Sequence, residues 1–163
     1  MVAESPYFKK YLFSALASGP IILRHLLDGI TDEEADFRAD PDRFTLREAV
    51  AHLADWEPIF LGRFVRTVDE DRPLIHGLDE GELAVRNDYG SKDIHTELDR
   101  YEKGRADTIA YLSSLPDSAW PRLADRDEIG LVDLEFLVGL LPLHDAYHER
   151  QAIEWRAQFL TNR

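Results

Sequence analysis

The sequence predicts an all-α protein, a four-helix bundle with long connecting loops. Four long stretches carry apolar residues at helical spacing, strand signals are nearly absent, and no internal repeat or low-complexity tract interrupts the chain. Amphipathic helices of similar length, each with one apolar stripe, pack most simply as a bundle. At 163 residues the chain is long enough for one continuous core and too short for two, so we expect one domain over residues 1–163.

The first predicted helix spans residues 7–30, where the pair Gly19-Pro20 predicts a break or kink. Proline removes a backbone donor and clashes with the preceding helical turn. The second helix spans residues 45–68 and has the clearest start, since Thr45-Leu46-Arg47-Glu48 fits a capping box. Pro58 predicts a kink further along this second helix.

The third predicted helix spans residues 91–115 and is stopped by Pro116, and the fourth spans residues 132–159. Two longer connections, residues 69–90 and residues 116–130, are polar and rich in turn formers. We therefore interpret both connections as loops rather than as helices or strands.

The composition disfavours several classes of function. The chain has no cysteine, which removes disulfides, thiolate ligands and a cysteine nucleophile. Its 19 basic and 32 acidic residues give a formal net charge of −13, a sign that repels phosphate backbones, so we expect no nucleic-acid binding. The first ten residues lack the apolar run of a signal peptide, and charges interrupt the most apolar stretch, residues 129–143. We expect a soluble, cytoplasmic protein without a membrane partner.

Two histidines lie four residues apart on the apolar face of the fourth helix. On a helical wheel, His144 and His148 fall within about 20° of the axis through Leu137 and Trp155, so both point into the core. Residues at this spacing bring their Cβ atoms to within roughly 5–6 Å, where two imidazoles can bind one cation. A single core histidine is more often a packing residue, but two buried imidazoles leave polar nitrogens that a metal ion satisfies. The pair predicts a metal site.

The third ligand has to come from another segment. The pair also matches a loose form of the zinc-protease motif, with Asp145 where the general base normally sits, but too few residues follow His148 to supply the usual later ligand. His52 is the best candidate, because it flanks the apolar arc of the second helix and an inward turn aims it at a neighbouring helix. We expect the remaining histidines to be solvated: His25, His76 and His95.

Two charged residues violate the apolar stripes of their helices. Glu57 lies near the centre of the second helix's apolar arc, and Arg105 lies in the stripe of the third. A buried charge without a partner is costly, so we favour an internal ion pair between the two. In the functional alternative, Arg105 holds an anionic substrate group near the metal or Glu57 relays protons.

With these residues placed, the chain resembles the DinB-like, or YfiT-like, superfamily of metal-binding four-helix bundles. The resemblance covers nearly the whole chain and rests on TLREAVAHLADWE (residues 45–57) and HDAYH (residues 144–148). The family pattern of one histidine early in the second helix and a pair in the last falls on His52, His144 and His148. The resemblance implies a three-histidine site for one divalent transition metal, either nickel, zinc or iron, and frequently a homodimer.

The resemblance leaves the reaction open, and with it whether the chain is an enzyme. We place a metal-dependent transferase of low-molecular-weight thiols, of the bacillithiol or mycothiol type, ahead of a metal-dependent hydrolase. The thiol would be a small-molecule cosubstrate, because the chain has no cysteine. Three protein ligands are the catalytic arrangement for zinc. A non-catalytic metal-binding or ligand-sensing module is the other alternative, and a bundle whose histidines bond only to each other and to Glu57 is a weaker one.

Overall fold

The computed structural model describes residues 5–127 and 129–162, and it confirms the predicted four-helix bundle. The four long helices are α1 (Pro6–Leu26), α3 (Leu46–Asp69), α5 (Ile94–Ser114) and α6 (Leu134–Thr161). Two short helices and three short strands lie in the connections: α2 (Asp32–Ala35), α4 (Glu80–Arg86), β1 (Leu74–Ile75), β2 (Leu123–Arg126) and β3 (Gly130–Asp133). Single 3₁₀ turns cover Tyr89–Ser91 and Asp117–Ala119. Helix α1 packs against α5 and α6, and α3 packs against the same two helices.

Each long helix begins at a side-chain cap. The caps of α1, α5 and α6 are Ser5, Asp93 and Asp133, whose side-chain oxygens accept a backbone N–H from the first turn. The predicted capping box of α3 is confirmed, since Thr45 Oγ1 accepts the Glu48 N–H at 3.2 Å and Glu48 Oε2 accepts the Thr45 N–H at 2.8 Å. The helix starts are therefore set by local sequence.

Helix α1 runs through Gly19 and Pro20 without the break that the sequence suggested. Pro20 has no N–H to give to the carbonyl oxygen of Leu16, one turn earlier, but Arg105 Nη1 donates to that oxygen at 2.8 Å. At Gly19 a Cβ atom would come within 2.4 Å of Asp145 Oδ2. Glycine here allows α1 to approach α6, and the arginine satisfies the acceptor that proline leaves free.

The two connections interpreted as loops contain regular structure, so that interpretation was wrong in part. Strand β1 pairs in parallel with β2, and β2 pairs antiparallel with β3. The strands are only two to four residues long, too short for an alternating pattern to stand out, and they turn their buried side chains to the core: Ile75, Ala124 and Val132. The sheet and α4 hold these connections against one end of the bundle.

The core has two apolar clusters. One contains Phe64, Trp120 and Leu137, and the other contains Leu98 and Trp155. Along α3, the residue before His52 belongs to the first cluster and the residue after it to the second, so this histidine enters the bundle where the two clusters meet. Among the described residues, no helix is long and apolar enough to cross a membrane.

Candidate metal centre

The three predicted histidines converge in the interior of the bundle. His52 comes from α3, and His144 and His148 come from successive turns of α6. Their ring centroids lie 4.8–5.1 Å apart, and His52 Nε2 lies 2.9 Å from His144 Nε2. The side chain of His52 is fully buried, His148 is buried and His144 is partly buried. Two helices that are distant in sequence thus place three imidazoles at one point.

The spacing of the ring nitrogens fits a single metal ion. One nitrogen from each histidine lies within 4.8 Å of the other two. A point at the centre of three nitrogens so spaced lies within about 2.8 Å of each nitrogen. The usual nitrogen–zinc distance is about 2.0–2.1 Å. The three imidazoles therefore form a group that could hold one metal ion.

The imidazoles are held in the neutral form that can bind a metal. Burial lowers the pKa of His52 to about 2, and the neighbouring charges of His144 and His148 act in the same direction. Burial likewise lowers the pKa of His148 to about 3 and that of His144 to about 4. At neutral pH the ring nitrogens therefore keep lone pairs that only a donor or a cation can satisfy.

A glutamine that the sequence analysis missed orients one of the three rings. His148 Nδ1 lies 3.0 Å from Gln151 Oε1, and Gln151 Nε2 donates to the carbonyl oxygen of Phe44 at 2.6 Å. The amide oxygen can only accept, so His148 carries its proton on Nδ1 and leaves Nε2 free. Gln151 follows His148 by three residues on one helix face, which is the signal that could have identified it. His52 Nδ1, by contrast, is buried without a hydrogen-bond partner in the described part of the chain.

A cavity of about 460 Å³ opens beside the imidazoles. His144 and His148 form part of its wall, together with Arg43, Tyr147 and Gln151. The guanidinium carbon of Arg43 lies 5.2 Å from the centroid of the Tyr147 ring, at which distance a cation interacts with an aromatic face. This volume is in the range of small-molecule sites in proteins.

The predicted ion pair between Glu57 and Arg105 is confirmed, and it has a third member. Arg105 Nη2 lies 2.7 Å from Glu57 Oε1, and Arg105 Nη1 lies 2.6 Å from Asp145 Oδ2. Tyr101 Oη donates to Asp145 Oδ1 at 2.7 Å, and Thr108 Oγ1 donates to Glu57 Oε2 at 3.2 Å. All five side chains are buried. Burial raises the pKa of Glu57 against the lowering effect of Arg105, and the neighbouring carboxylate of Asp145 adds to the rise.

These contacts decide between two interpretations of the sequence. Arg105 has its donors engaged by Glu57, Asp145 and a backbone carbonyl, so it is part of the framework rather than a substrate-binding group. Asp145, compared above with the base of zinc proteases, has both carboxylate oxygens occupied by Arg105 and Tyr101. Asp145 is therefore not available as a general base, which agrees with the weak match of this segment to the zinc-protease motif.

The other histidines lie at the surface, as expected. The exposed ones are His25, His76 and His95. His76 Nδ1 lies 3.0 Å from Asp127 Oδ2, a contact outside the bundle.

Comparison with known proteins places the chain in a family. A model of the DinB superfamily matches residues 16–152, a range that includes all three converging histidines. Among solved structures, the chain is similar to YfiT from Bacillus subtilis, which is described as a probable metal-dependent hydrolase with an unusual four-helix bundle topology. The TM-score is 0.87 and the identity 24%, over 95% of this chain and 89% of that chain. No curated protein matches the sequence. Because the family model spans most of the sequence and the bundle agrees with it, the chain belongs to the DinB superfamily.

Proposed function

We propose that the protein is a metal-dependent hydrolase in which His52, His144 and His148 bind one divalent transition-metal ion, either nickel, zinc or iron. The observation that carries the proposal is the meeting of three ring nitrogens within 4.8 Å of one another beside a cavity of about 460 Å³. The description of YfiT as a probable metal-dependent hydrolase supports the reaction class. Held by three protein ligands, such an ion supplies Lewis acidity and lowers the pKa of water toward neutrality.

The residues around the imidazoles have defined tasks in this proposal. Burial keeps the three rings neutral, so their lone pairs are available to a cation at neutral pH. Gln151 fixes the proton of His148 on Nδ1 and turns Nε2 toward the centre. The buried pair of Arg105 and Asp145 anchors α6 at the residue next to His144. The cavity admits a small substrate from the side of α6 that carries Tyr147.

Transfer of a low-molecular-weight thiol is the second candidate. The cavity favours it, because about 460 Å³ can accommodate a thiol and a small electrophile together. The chain has no cysteine, so the nucleophile in this reaction would be a cosubstrate such as bacillithiol or mycothiol. The same three imidazoles would serve either reaction, and the substrates decide between them.

The ligand assignment is tested by metal analysis of tag-free protein. We expect about one ion per chain in the wild type and in the exposed-histidine control His95→Ala, and at least a tenfold lower content in His52→Ala and His148→Ala. A metal content of His52→Ala and His148→Ala equal to that of the control would refute the ligand set.

Reaction class is tested on the metal-loaded wild type with two kinds of probe. 4-Nitrophenyl acetate and bis(4-nitrophenyl) phosphate report hydrolysis, and monobromobimane with bacillithiol or mycothiol reports thiol transfer. Turnover that disappears with chelator and in His148→Ala identifies the reaction. Full metal content and a metal-dependent rise in melting temperature, without turnover of any probe, would instead favour a metal-binding or ligand-sensing module.

A further inference from the structure

A second cavity of about 340 Å³ adjoins the histidine cluster and contains two arginines. His144 belongs to the walls of both cavities, so the second one reaches the same imidazole from another side. Arg63 of α3 and Arg126 of β2 line it, and much of the remaining wall is apolar and includes Trp56 and Phe60. Two positive side chains thus face a largely apolar space next to the proposed metal site.

Neither arginine forms an ion pair with a carboxylate within residues 5–127 and 129–162, although Asp127, whose pKa is lowered first by its hydrogen bond to His76, also interacts with the charge of Arg126. Arg63 is buried, donates Nη2 to the carbonyl oxygen of His76 at 3.1 Å, and stacks with its guanidinium carbon 5.0 Å from the centroid of the Trp56 ring. The Nη1 atom of Arg126 is buried and has no hydrogen-bond partner in the same part of the chain. By contrast, the other two buried arginines, Arg47 and Arg105, each pair with two carboxylates.

This arrangement is costly for the folded protein alone. Burial and the positive charge of Arg126 lower the pKa of Arg63 to about 10. The chain has 32 acidic residues against 19 basic ones, so carboxylates for pairing are abundant elsewhere on the molecule. Two neighbouring guanidinium groups without an ion-paired carboxylate leave donors that suit a carboxylate or phosphate oxygen.

Among the described residues, a single acidic side chain lines this cavity, and it does not fill this role. Glu80, at the start of α4, lines both cavities and is exposed. Within the described ranges, no hydrogen bond or ion pair joins its carboxylate to Arg63 or Arg126. Although the residue as a whole is exposed, partial desolvation of its carboxylate, together with the charge of Asp79, raises its pKa. No carboxylate of the described residues therefore fills this role.

We propose that this cavity binds an anionic oxygen group of the substrate, a carboxylate or a phosphate, between Arg63 and Arg126. The proposal rests on the hydrolase function above and names its substrate class, an organic anion with an apolar portion. That portion packs on Trp56 and Phe60, while the opposite end of the molecule reaches His144. Guanidinium groups suit this task because their fork of donors matches the geometry of carboxylate and phosphate oxygens.

The test uses metal-free protein, so that an anion cannot be held by the metal. Benzoate and phenyl phosphate are titrated into wild type, Arg126→Gln and Arg66→Gln by calorimetry, with benzamide as the neutral probe of the same shape. Arg66 is the matched control because it is exposed and lies one turn from Arg63 on α3. We expect at least one anion to bind the wild type and Arg66→Gln alike, and to bind Arg126→Gln about tenfold or more weakly. Benzamide is expected not to bind.

The two anions separate the possible sources of the charge. Binding of benzoate alone assigns a carboxylate, binding of phenyl phosphate alone assigns a phosphate ester, and binding of both supports the shared chemistry. Equal binding of anions and benzamide, no binding of any probe, or equal affinities of Arg126→Gln and the wild type would overturn the proposal.

Two further measurements keep the result independent of folding and of the metal. Arg126→Lys keeps the positive charge but loses the planar set of guanidinium donors that can bind two oxygens at once. Its affinity for the anions should therefore lie between those of Arg126→Gln and the wild type. Metal content is measured on each variant after reloading. A chain that binds its metal but no anion defeats the substrate-site proposal alone, whereas anion binding without metal binding defeats the hydrolase proposal alone.

Discussion

Acidification of the metal-free protein from pH 7.5 to pH 5.5 should remove about 4 kcal/mol of stability through the three buried histidines. Burial holds the pKa of His52 at about 2, of His148 at about 3 and of His144 at about 4, whereas an unfolded histidine titrates near its model value of 6.5. Between those values the unfolded chain binds more protons than the folded one. The stabilisation is therefore present above pH 6.5 and is lost as the pH falls below it.

The magnitude follows from the size of each shift. At pH 5.5 the pH is still above the pKa of each of the three histidines in the folded protein, so only the unfolded chain becomes protonated. Protonation of each unfolded imidazole lowers the stability by about 1.4 kcal/mol, and that of all three by about 4 kcal/mol. Glu57 acts in the opposite sense, because burial raises its pKa and the stability from its proton is lost as the pH rises. Glu57 is present in the wild type and in every histidine variant. The difference between the wild type and a variant that lacks one histidine therefore gives the pH-dependent stability of that imidazole alone.

Urea unfolding of chelator-treated protein, followed by circular dichroism at the two pH values, measures the effect. His148→Gln should lose about 1.4 kcal/mol less than the wild type on acidification, because one of the three groups is gone. The exposed-histidine control His95→Gln should behave as the wild type does. The reasoning fails if His148→Gln and the wild type lose the same stability between pH 7.5 and pH 5.5.

Three further substitutions test the framework by urea unfolding at neutral pH. Gly19→Ala should lower the free energy of unfolding by about 1–3 kcal/mol, since the new Cβ would come within 2.4 Å of Asp145 Oδ2. The control Gly62→Ala has nothing within 4 Å of the new Cβ and should stabilise the protein by up to about 1 kcal/mol. Equal effects of the two substitutions would contradict the close approach of α1 and α6. Tyr101→Phe should cost about 1–3 kcal/mol, because a buried carboxylate loses a donor, and a neutral result would mean that water replaces the hydroxyl. Thr45→Ala should cost about 0.5–2 kcal/mol and Thr45→Ser almost nothing, and an equal loss in both would show that the cap hydroxyl is not what stabilises α3.

The features that could be predicted from the sequence are those determined by residues that lie close together in the chain. A capping box occupies four consecutive residues, and the pair His144 and His148 occupies one helical turn, so each was visible without any knowledge of the fold. The ion pair of Glu57 and Arg105 could also be predicted. Each charge interrupts an apolar stripe, and two opposite buried charges are stabilised by pairing with each other.

The features that escaped prediction depend on contacts between distant segments. Strands of two to four residues are too short to show an alternation of apolar and polar residues, so the sequence did not predict the small sheet. Its strands are defined by their pairing with one another in the folded protein. Arg126 lies on one of those strands and Arg63 on α3, and nothing near either residue in the sequence indicates that they share a cavity. The sequence likewise could not show that Arg105 and Tyr101 occupy the carboxylate oxygens of Asp145.

The position of the proposed metal site follows from how α3 and α6 are tied together. Arg105 on α5 bridges Glu57 of α3 and Asp145 of α6, so it fixes the register of the two helices that carry the histidines. Asp145 adjoins His144 in the chain, and the carbonyl of Leu16 holds the same arginine to α1. The imidazoles are therefore brought together by a network that contains no metal. In a small zinc domain the ion itself organises an otherwise unfolded chain, whereas here buried ion pairs of the protein's own side chains also tie α3 and α6 together.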